Sequence, residues 1–565
     1  MKTEIIDYDA IIIGGGAAGL RAGLALTEKG APRIAIISKL PPVRSHTAAA
    51  RGGIGAVLNE NEADSPAQHA RDTIKAGAGL ADRPAVKSFC RAAGDEIERL
   101  AELGMPFNET EEGKIAGRKF AGHSDTKNRP ARRSRYAGDR TGQILLHTLH
   151  DHCRSRAIDF FDEHLVLQLC QREGRFCGAL ARDLASGRSK LFRSRATLLA
   201  SGGAGELFEF TSNSLNCTGD GQAMAVRSGI PLQDPEFYQY HPTVLPRLGV
   251  LVTGAARSLG GRLLNHRGDR FMEKYAPKQL ELAPRDKLSR AISREIAAGR
   301  GVESGDCVYL DLRDVETKKL KQDLPEVVSS CRNYLDLKPE EELIPVRPAA
   351  HYWMGGIPTD SAGRVLGVNQ SPVPGLFAAG ECASVSIHGA NRLGTNSLAE
   401  TQVMGARAGR RITAEIEEDS RLPKPGELQK DLAPLSTALP EAGRLLEQLQ
   451  TITSKCLGIF RNEEKLCRGQ EKLIQLNREL ANSARVEVKD RPYSYNLKAT
   501  FELKNLLLLA RLTVAAALKR TESRGAHYRS DFPEADEKLK CHSLVRLRGE
   551  EPTVRYRAVS EEDEN

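Results

Sequence analysis

Near the N-terminus an apolar run, Ala10-Ile11-Ile12-Ile13, passes into Gly14-Gly15-Gly16-Ala17-Ala18-Gly19 and then into a helical pattern, Leu20-Arg21-Ala22-Gly23-Leu24-Ala25-Leu26. The order is strand, glycine turn, helix. Glycines at these places permit the tight turn, let the backbone approach a pyrophosphate, and leave that group at the positive N-terminal end of the helix. Such a beginning points to an α/β fold in which a sheet holds a dinucleotide. A second strand, Arg33-Ile34-Ala35-Ile36-Ile37, ends in Ser38-Lys39, where an NAD enzyme more often carries an Asp or Glu for the ribose hydroxyl. NAD is therefore disfavoured.

The 565 residues, 40% of them hydrophobic, suffice for about three to four domains. The net charge of +8 arises from 82 basic and 74 acidic residues that are interspersed, and only 5% of residues are aromatic. That pattern reads as a solvated mixed-charge surface and implies no nucleic-acid partner. The 11 cysteines are scattered, with no Cys-x-x-Cys pair. Their spacing argues against a zinc site or an internal iron–sulfur cluster, so no metal site is expected, and it fits reduced, cytosolic usage. Met1-Lys2-Thr3-Glu4 leads straight toward the first strand, which reads as the absence of a signal peptide, and the apolar stretch Leu506 to Leu518 is broken by Arg511 and too short to span a bilayer.

Strands and helices alternate from about 6 to 235. A second strand-and-glycine turn, Ala196 to Gly205, offers another backbone cradle through Ala200 and Gly202, and Asp220 follows in Cys217-Thr218-Gly219-Asp220-Gly221. A third such strand, Gly375-Leu376-Phe377-Ala378-Ala379-Gly380-Glu381, returns to the same sheet. The charged, turn-rich stretch between these visits reads as an inserted lid, and a cleft between lid and cofactor is a common place for an active site. From about 415 to 520 the pattern turns helical, with stripes such as Leu445, Leu449, Ile452 and Leu473, Leu476, Leu480 that read as packing faces. The tail holds His527, Asp531 and Pro533, then a strand-like run Val554-Arg555-Tyr556-Arg557.

Four segments concentrate residues suited to a small acid: Gln239-Tyr240-His241-Pro242-Thr243 with Leu251-Val252-Thr253; Pro284-Arg285-Asp286; His351-Tyr352-Trp353-Met354-Gly355-Gly356-Ile357; and His388 to Leu398. Arg392 offers a rigid fork that matches one carboxylate bidentately, while His241, His351 and Thr253 can hold a second. Two anchored carboxylates fix the carbon–carbon bond between them, which is catalysis by position. A single histidine or arginine here is more often a packing or surface residue; the weight rests on the four segments occurring together.

Together with His46, in Arg44-Ser45-His46-Thr47-Ala48-Ala49-Ala50-Arg51-Gly52-Gly53, these segments resemble the flavoprotein subunits of succinate dehydrogenase and fumarate reductase, with the L-aspartate oxidases close behind. The resemblance spans nearly the whole chain, including Glu522 to His527 and Arg529 to Pro533. It implies a Rossmann-like FAD-binding domain (1–235 and 351–415), an inserted α+β capping (lid) domain (236–350), a C-terminal helical domain (416–520) and a small C-terminal tail domain (521–565). It also implies FAD bound covalently through His46, a position that L-aspartate oxidases lack. The cofactor-binding positions expected are Gly14, Gly16, Ala17, Gly19, Ser38, Lys39, Ser45, His46, Thr47, Gly52, Gly53, Ala200, Gly202, Asp220, Glu381, Arg392, Ser397 and Leu398. By the same resemblance, Arg285 is the proton-transfer arginine, Arg257 the relay arginine, and His241, Thr253, His351 and Arg392 the dicarboxylate ligands. Hydride would pass between one substrate carbon and the flavin, and a side chain would handle the proton on the other. Electrons would go to a separate iron–sulfur subunit and on to a quinone site in membrane-anchor subunits, which makes the chain a peripheral protein of the cytoplasmic membrane face.

The sequence departs from the family pattern at two places. Gly254 stands where the family has a glutamate that passes protons to the catalytic arginine, and Arg51 stands where it has a glutamine. If both face the cleft, the site gains about two positive charges, which favours a more anionic substrate. The readings left open are succinate–fumarate interconversion with a proton path rebuilt through water or Asp286, a related acid bearing another negative group, a self-contained oxidase of the L-aspartate oxidase type, and a non-catalytic flavin-binding scaffold.

Overall fold

A computed structural model describes residues 3–30, 32–58, 64–418, 422, 437–483, 485–487 and 492–559. Met1, Lys2 and residues 560–565 of the tail lie outside the described residues.

The central sheet has eight strands, and its parallel core runs Pro372–Ala378, Ser189–Leu199, Glu4–Ile13, Ile34–Ile37, Ile158–Phe161. The first strand pairs with Ile34–Ile37 on one side and with Ser189–Leu199 on the other, so the two glycine turns at 14–16 and 200–203 emerge side by side at the same sheet end. Alternation sorts the strand residues between two cores. Ile11, Ile13, Ala35 and Ile37 join the core that also holds Leu445, Leu449, Leu473, Leu476 and Leu480. Ala10, Ile12, Ile34 and Ile36 point the opposite way, into a core shared with Leu20, Leu24, Val86, Phe89 and Val403. The first core is shared with the strands His164–Arg172 and Arg175–Asp183, with helix Asp220–Arg227 and with the C-terminal helices Ala442–Cys456, Glu463–Asn482 and Tyr495–Lys519, and the second with Ala17–Leu26, Arg83–Glu102 and Asn396–Glu418. Of the leucine–isoleucine stripe at 445–452, Ile452 is only partly buried. Among the described residues no helix is long and apolar enough to cross a membrane.

The inserted segment builds its own four-stranded antiparallel sheet, Tyr238–Val244, Ile344–Trp353, Val308–Asp311 and Arg262–Leu264, with a separate core around Leu288, Ile292, Val308, Leu310 and Val327. It docks on the larger sheet unit through Asp139, whose carboxylate accepts from the backbone N–H groups of Glu326 and Val327 at the start of helix Pro325–Leu335. An anion at a helix N-terminus satisfies donors that the helix leaves unpaired. Where the chain leaves for this segment, buried Glu236 pairs with Arg520 at 2.6 Å, and Arg520 also holds Glu522 at 2.9 Å. The tail is thereby tied to the hinge. The run 554–557 lies in strand Glu551–Ala558, paired with Cys541–Arg548.

Gly19 shows how tightly the first turn is built. A Cβ there would lie 2.0 Å from the Gly14 carbonyl oxygen and 3.1 Å from an Ile12 methyl. Gly19→Ala is expected to cost about 1–3 kcal/mol through overpacking, read as a lowered thermal midpoint; an unchanged midpoint contradicts the packing role.

Candidate active site

One elongated cavity runs from the glycine turns toward the inserted segment. Gly14, Gly16 and Ala17 border it at the first turn, Ser38 and Lys39 at the end of the second strand, and Ala200 and Gly202 at the second turn. Ser45, His46, Thr47, Asp220, Glu381, Arg392, Ser397 and Leu398 complete its expected wall. Gly19, Gly52 and Gly53 do not border it. Gly19 packs beneath the turn, whereas Gly52 and Gly53 sit against Phe120 and Ser134.

The residues fit FAD on the structure's own terms. Gly14 adopts φ +118° with its missing Cβ aimed at the Ala200 carbonyl, so the two cradles touch and only glycine is accommodated. At Gly202, with φ +77°, nothing lies within 4 Å of an added Cβ, which leaves that backbone open to a ligand. Ser45 Oγ is buried without a partner, a polar atom that a bound group would satisfy. Lys39 donates to Asp220 at 2.9 Å, to Glu502 at 2.7 Å and to Thr218 at 2.6 Å. Burial opposes the charge on Asp220, but Lys39 outweighs it and holds the carboxyl below its ordinary range. Burial pushes the Glu381 carboxyl up to about 7, although Trp353 N–H donates to it at 3.0 Å.

His46 is held by the segment 213–214. Ser214 N–H donates to Nδ1 at 3.2 Å, and Asn213 Nδ2 lies 2.9 Å from Nε2. Burial lowers its pKa to about 4, so the imidazole is neutral.

The dicarboxylate candidates converge. Arg285, at the start of helix Arg285–Ala297, donates to Gln239 Oε1 at 2.9 Å, and Arg392 donates to the same oxygen at 3.3 Å. Arg392 also donates to Ser397 Oγ at 2.9 Å, and its guanidinium lies 4.3 Å from the centroid of the Tyr352 ring. His241 and His351 meet edge to face at 5.0 Å, and Ser212 Oγ lies 2.8 Å from His351 Nδ1. Arg257 donates to Thr243 Oγ1 at 2.6 Å, while Thr253 caps the short helix Gly254–Ser258. His241 Nε2 and Arg392 Nε are buried without partners.

Burial, then the charges of Arg392 and Arg257, push the Arg285 guanidinium well below its ordinary range. Burial, then Arg285, holds His241 and His351 well below theirs.

Two expectations about charge change. Arg51 does not join these cations: its guanidinium lies 3.4 Å from Ser330 Oγ and borders an adjoining recess, which shares His46 and Ser214 with the main cavity, where the buried Asp139 carboxylate attracts it. Asp286 is committed to Arg290 at 2.6 Å and Asn391 at 3.1 Å rather than to Arg285.

Sequence reasoning quoted Gln239 within its first acid-binding segment but gave it no role, and passed over Ser212, Asn213, Ser214, Glu502 and Asn505. The available signals were the polar cluster Thr211 to Ser214 between two cofactor segments, and polar residues in an otherwise apolar helix.

With this geometry in hand, comparison with known proteins is direct. The sequence matches the FAD binding domain family over residues 9–398 and the fumarate reductase flavoprotein C-terminal family over residues 446–564. It is 38% identical to the succinate dehydrogenase flavoprotein subunit of Coxiella burnetii, over 99% of this chain and 97% of that one. The chain belongs to the succinate dehydrogenase and fumarate reductase flavoprotein family. It is also 39% identical to the fumarate reductase flavoprotein subunit of Mycobacterium tuberculosis, over 95% of this chain and 94% of that one. An E. coli quinol fumarate reductase variant superimposes with a TM-score of 0.91 at 34% identity, covering 99% of this chain and 97% of that one. The match accounts for both the FAD-binding α/β unit and the C-terminal region, and makes this chain an FAD-dependent oxidoreductase.

The neutral histidines set a pH dependence. Unfolded, they take up protons near pH 6.5; folded, His241 and His351 do not. Stability is therefore complete above pH 6.5 and falls as pH drops, by about 1.4 kcal/mol per histidine per pH unit. The ligand-free protein should melt at a lower temperature at pH 5 than at pH 7, and His241→Gln should shrink that difference by one histidine's share, since His46, His69, His123, His351 and His527 are also held low. An equal difference in the variant contradicts the assignment.

Proposed function

We propose that this chain interconverts succinate and fumarate as the flavin-bearing subunit of a membrane-associated complex. The supporting observation is that Arg285 and Arg392 share one neutral acceptor, Gln239 Oε1, while His241 Nε2 and Arg392 Nε are buried unpaired. A pocket of cations with unsatisfied donors and no carboxylate on its two central arginines is completed by a dianion.

In this reading Arg392 grips one carboxylate through its fork, and His241, Thr253 and His351 hold the other. When bound, FAD supplies the hydride acceptor. Arg285 handles the proton at the neighbouring carbon. Arginine is a poor acid in water, but here burial and two nearby guanidinium groups destabilise its extra proton, which eases release. Arg257 stands next in line, tied through Thr243 to the His241 backbone turn.

We further propose that His46 carries the covalent link, at Nε2. An imidazole substituted there keeps Nδ1 as an acceptor, which suits the Ser214 N–H already aimed at it. The capping unit is assigned to 236–350, the FAD-binding unit to 1–235 with 351–415, the helical unit to 416–520 and the tail unit to 521–565. Electrons are exchanged with a quinone, as the name of the E. coli quinol fumarate reductase suggests, and in this reading they pass through an iron–sulfur subunit to membrane-anchor subunits, with the chain peripheral on the cytoplasmic face. Arg51's orientation toward Asp139 removes half of the charge argument for a more anionic substrate, which favours succinate itself.

Two experiments test this. Arg285→Lys should retain flavin while losing turnover by roughly 10²–10⁴-fold; normal turnover removes the proton role. His46→Ser should make FAD extractable by acid, and flavin that stays attached places the link elsewhere.

A further inference from the structure

Thr395 is a β-branched residue in a conformation such residues rarely adopt, φ +69°. It stands third in the turn Leu393-Gly394-Thr395-Asn396, where the Asn396 N–H reaches the Leu393 carbonyl at 3.4 Å and where a positive φ is ordinarily supplied by glycine. Arg392 leads into this turn, and Ser397 and Leu398, which border the cofactor cavity, lead out of it. A strained residue persists only where its surroundings over-determine it, and such residues gather at ligand clamps.

The surroundings here are a buried polar chain that the mechanism does not use and that does not border the cofactor cavity. Arg133 donates to Asp64 through Nε at 3.0 Å and Nη2 at 2.6 Å, and to Asp72 through Nη1 at 2.8 Å. The same Nη1 lies 3.0 Å from His123 Nδ1. A guanidinium only donates, so Nδ1 accepts and the proton of the neutral imidazole sits on Nε2. Burial, then the charge of Arg133, lowers the His123 pKa to about 3 and keeps the ring neutral. Nε2 then donates to the Gly394 carbonyl at 2.9 Å and lies 3.3 Å from Thr395 Oγ1. From other sides the Gly55 N–H donates to the Thr395 carbonyl at 3.1 Å, and His69 Nε2 lies 2.9 Å from Asn396 Oδ1. Each residue of the turn after Leu393 is thus held from outside, while Gln239 Nε2 donates to the Arg392 carbonyl at 2.9 Å.

We propose that His123 is a positioning residue for Arg392: anchored by Arg133, it holds the Gly394–Thr395 turn in its strained form and so sets the direction in which the Arg392 fork meets a substrate carboxylate. This deepens the dicarboxylate reading above and rests on it. Without the clamp, Thr395 relaxes toward negative φ and the backbone of Arg392 moves with it.

The experiment uses the full-length flavin-loaded protein and reads succinate turnover per bound flavin, together with malonate binding by perturbation of flavin absorbance. His123→Leu should raise the succinate KM and the malonate Kd about tenfold, since one well-directed hydrogen bond to a charged group is worth about that much. Its kcat should change less than about threefold, the mark of a grip made equally in the bound and reacting states. His123→Gln, whose amide can both donate to Gly394 and accept from Arg133, should return both values to within about threefold of the wild type. Glycine takes the positive φ without strain, so adding His123→Leu to Thr395→Gly should cost malonate less than about threefold relative to Thr395→Gly alone. A purely structural role lowers the thermal midpoint and flavin content of His123→Leu but leaves KM and Kd per flavin unchanged, which overturns the proposal. An undiminished loss in the Thr395→Gly background overturns it too. Should His123→Leu fail to fold, His123→Met fills the space without donor or acceptor and is read in the same way. If the wild type neither turns over succinate nor responds to malonate, the dicarboxylate reading itself fails, a result distinct from a responsive wild type with unaltered variants.

Discussion

Positive charge gathered in a buried pocket is the constraint around which this site is arranged. Taking a guanidinium out of water is costly unless something replaces the lost hydration. Here Arg285 and Arg392 share one amide oxygen, Arg392 also lies over the face of Tyr352, and the two histidines respond by remaining neutral. Negative charge is present but kept one layer back: the Tyr352 hydroxyl donates to Glu400 at 2.7 Å, and His388 lies 3.0 Å from the same carboxylate. A carboxylate placed directly on Arg392 would neutralise it and compete with substrate. Among the described residues the fork instead meets only neutral partners, Ser397 Oγ and Gln239 Oε1, with the Tyr352 ring against it.

A second ion pair joins distant parts of the chain to the cofactor cavity. Lys39 ends the second strand, Asp220 opens the helix after the second glycine turn, and Glu502 lies on helix Tyr495–Lys519. Asn505, one helical turn on, donates to Asp220 at 2.7 Å. These groups are mutually satisfied and mostly buried, so removing one leaves an uncompensated charge beside the cavity. The C-terminal helices thus do more than add to an apolar core; one of them completes the ion pairs in the wall of the cavity proposed for FAD.

What the sequence made legible follows from how local each signal is. The glycine turn declares itself because close backbone approach has few chemical solutions, and Gly14 and Gly19 meet the contacts that demand them. The apolar run Ala10 to Ile13 was readable because a strand buried on both faces is apolar throughout, and the leucine stripes of the C-terminal helices because burial on a helix has a period. The roles of Gln239, Asn213 and Ser212 were not, since an orienting amide or hydroxyl has no spacing rule and gains meaning only when its partner arrives from elsewhere in the chain. Arg51 illustrates the opposite failure. Its neighbours in sequence place it beside His46, but the direction of a long flexible side chain is set by tertiary contacts, here Ser330 and Asp139.

The two departures from the family pattern therefore have different physical meanings. Arg51 changes the contact between the sheet unit and the inserted segment, at the same recess where Asp139 caps helix Pro325–Leu335. Gly254 changes the pocket wall itself, because the volume in which a side chain at that position would begin is already bounded by Phe120 and by Arg257 Nη2 at 3.3 Å. A side chain added at that position would have to move the Phe120 ring by a few tenths of an ångström. With glycine at 254, the reading proposed above rests on positioning: on the grips proposed for the two carboxylates and on Arg285, whose guanidinium burial and two neighbouring cations push well below its ordinary range.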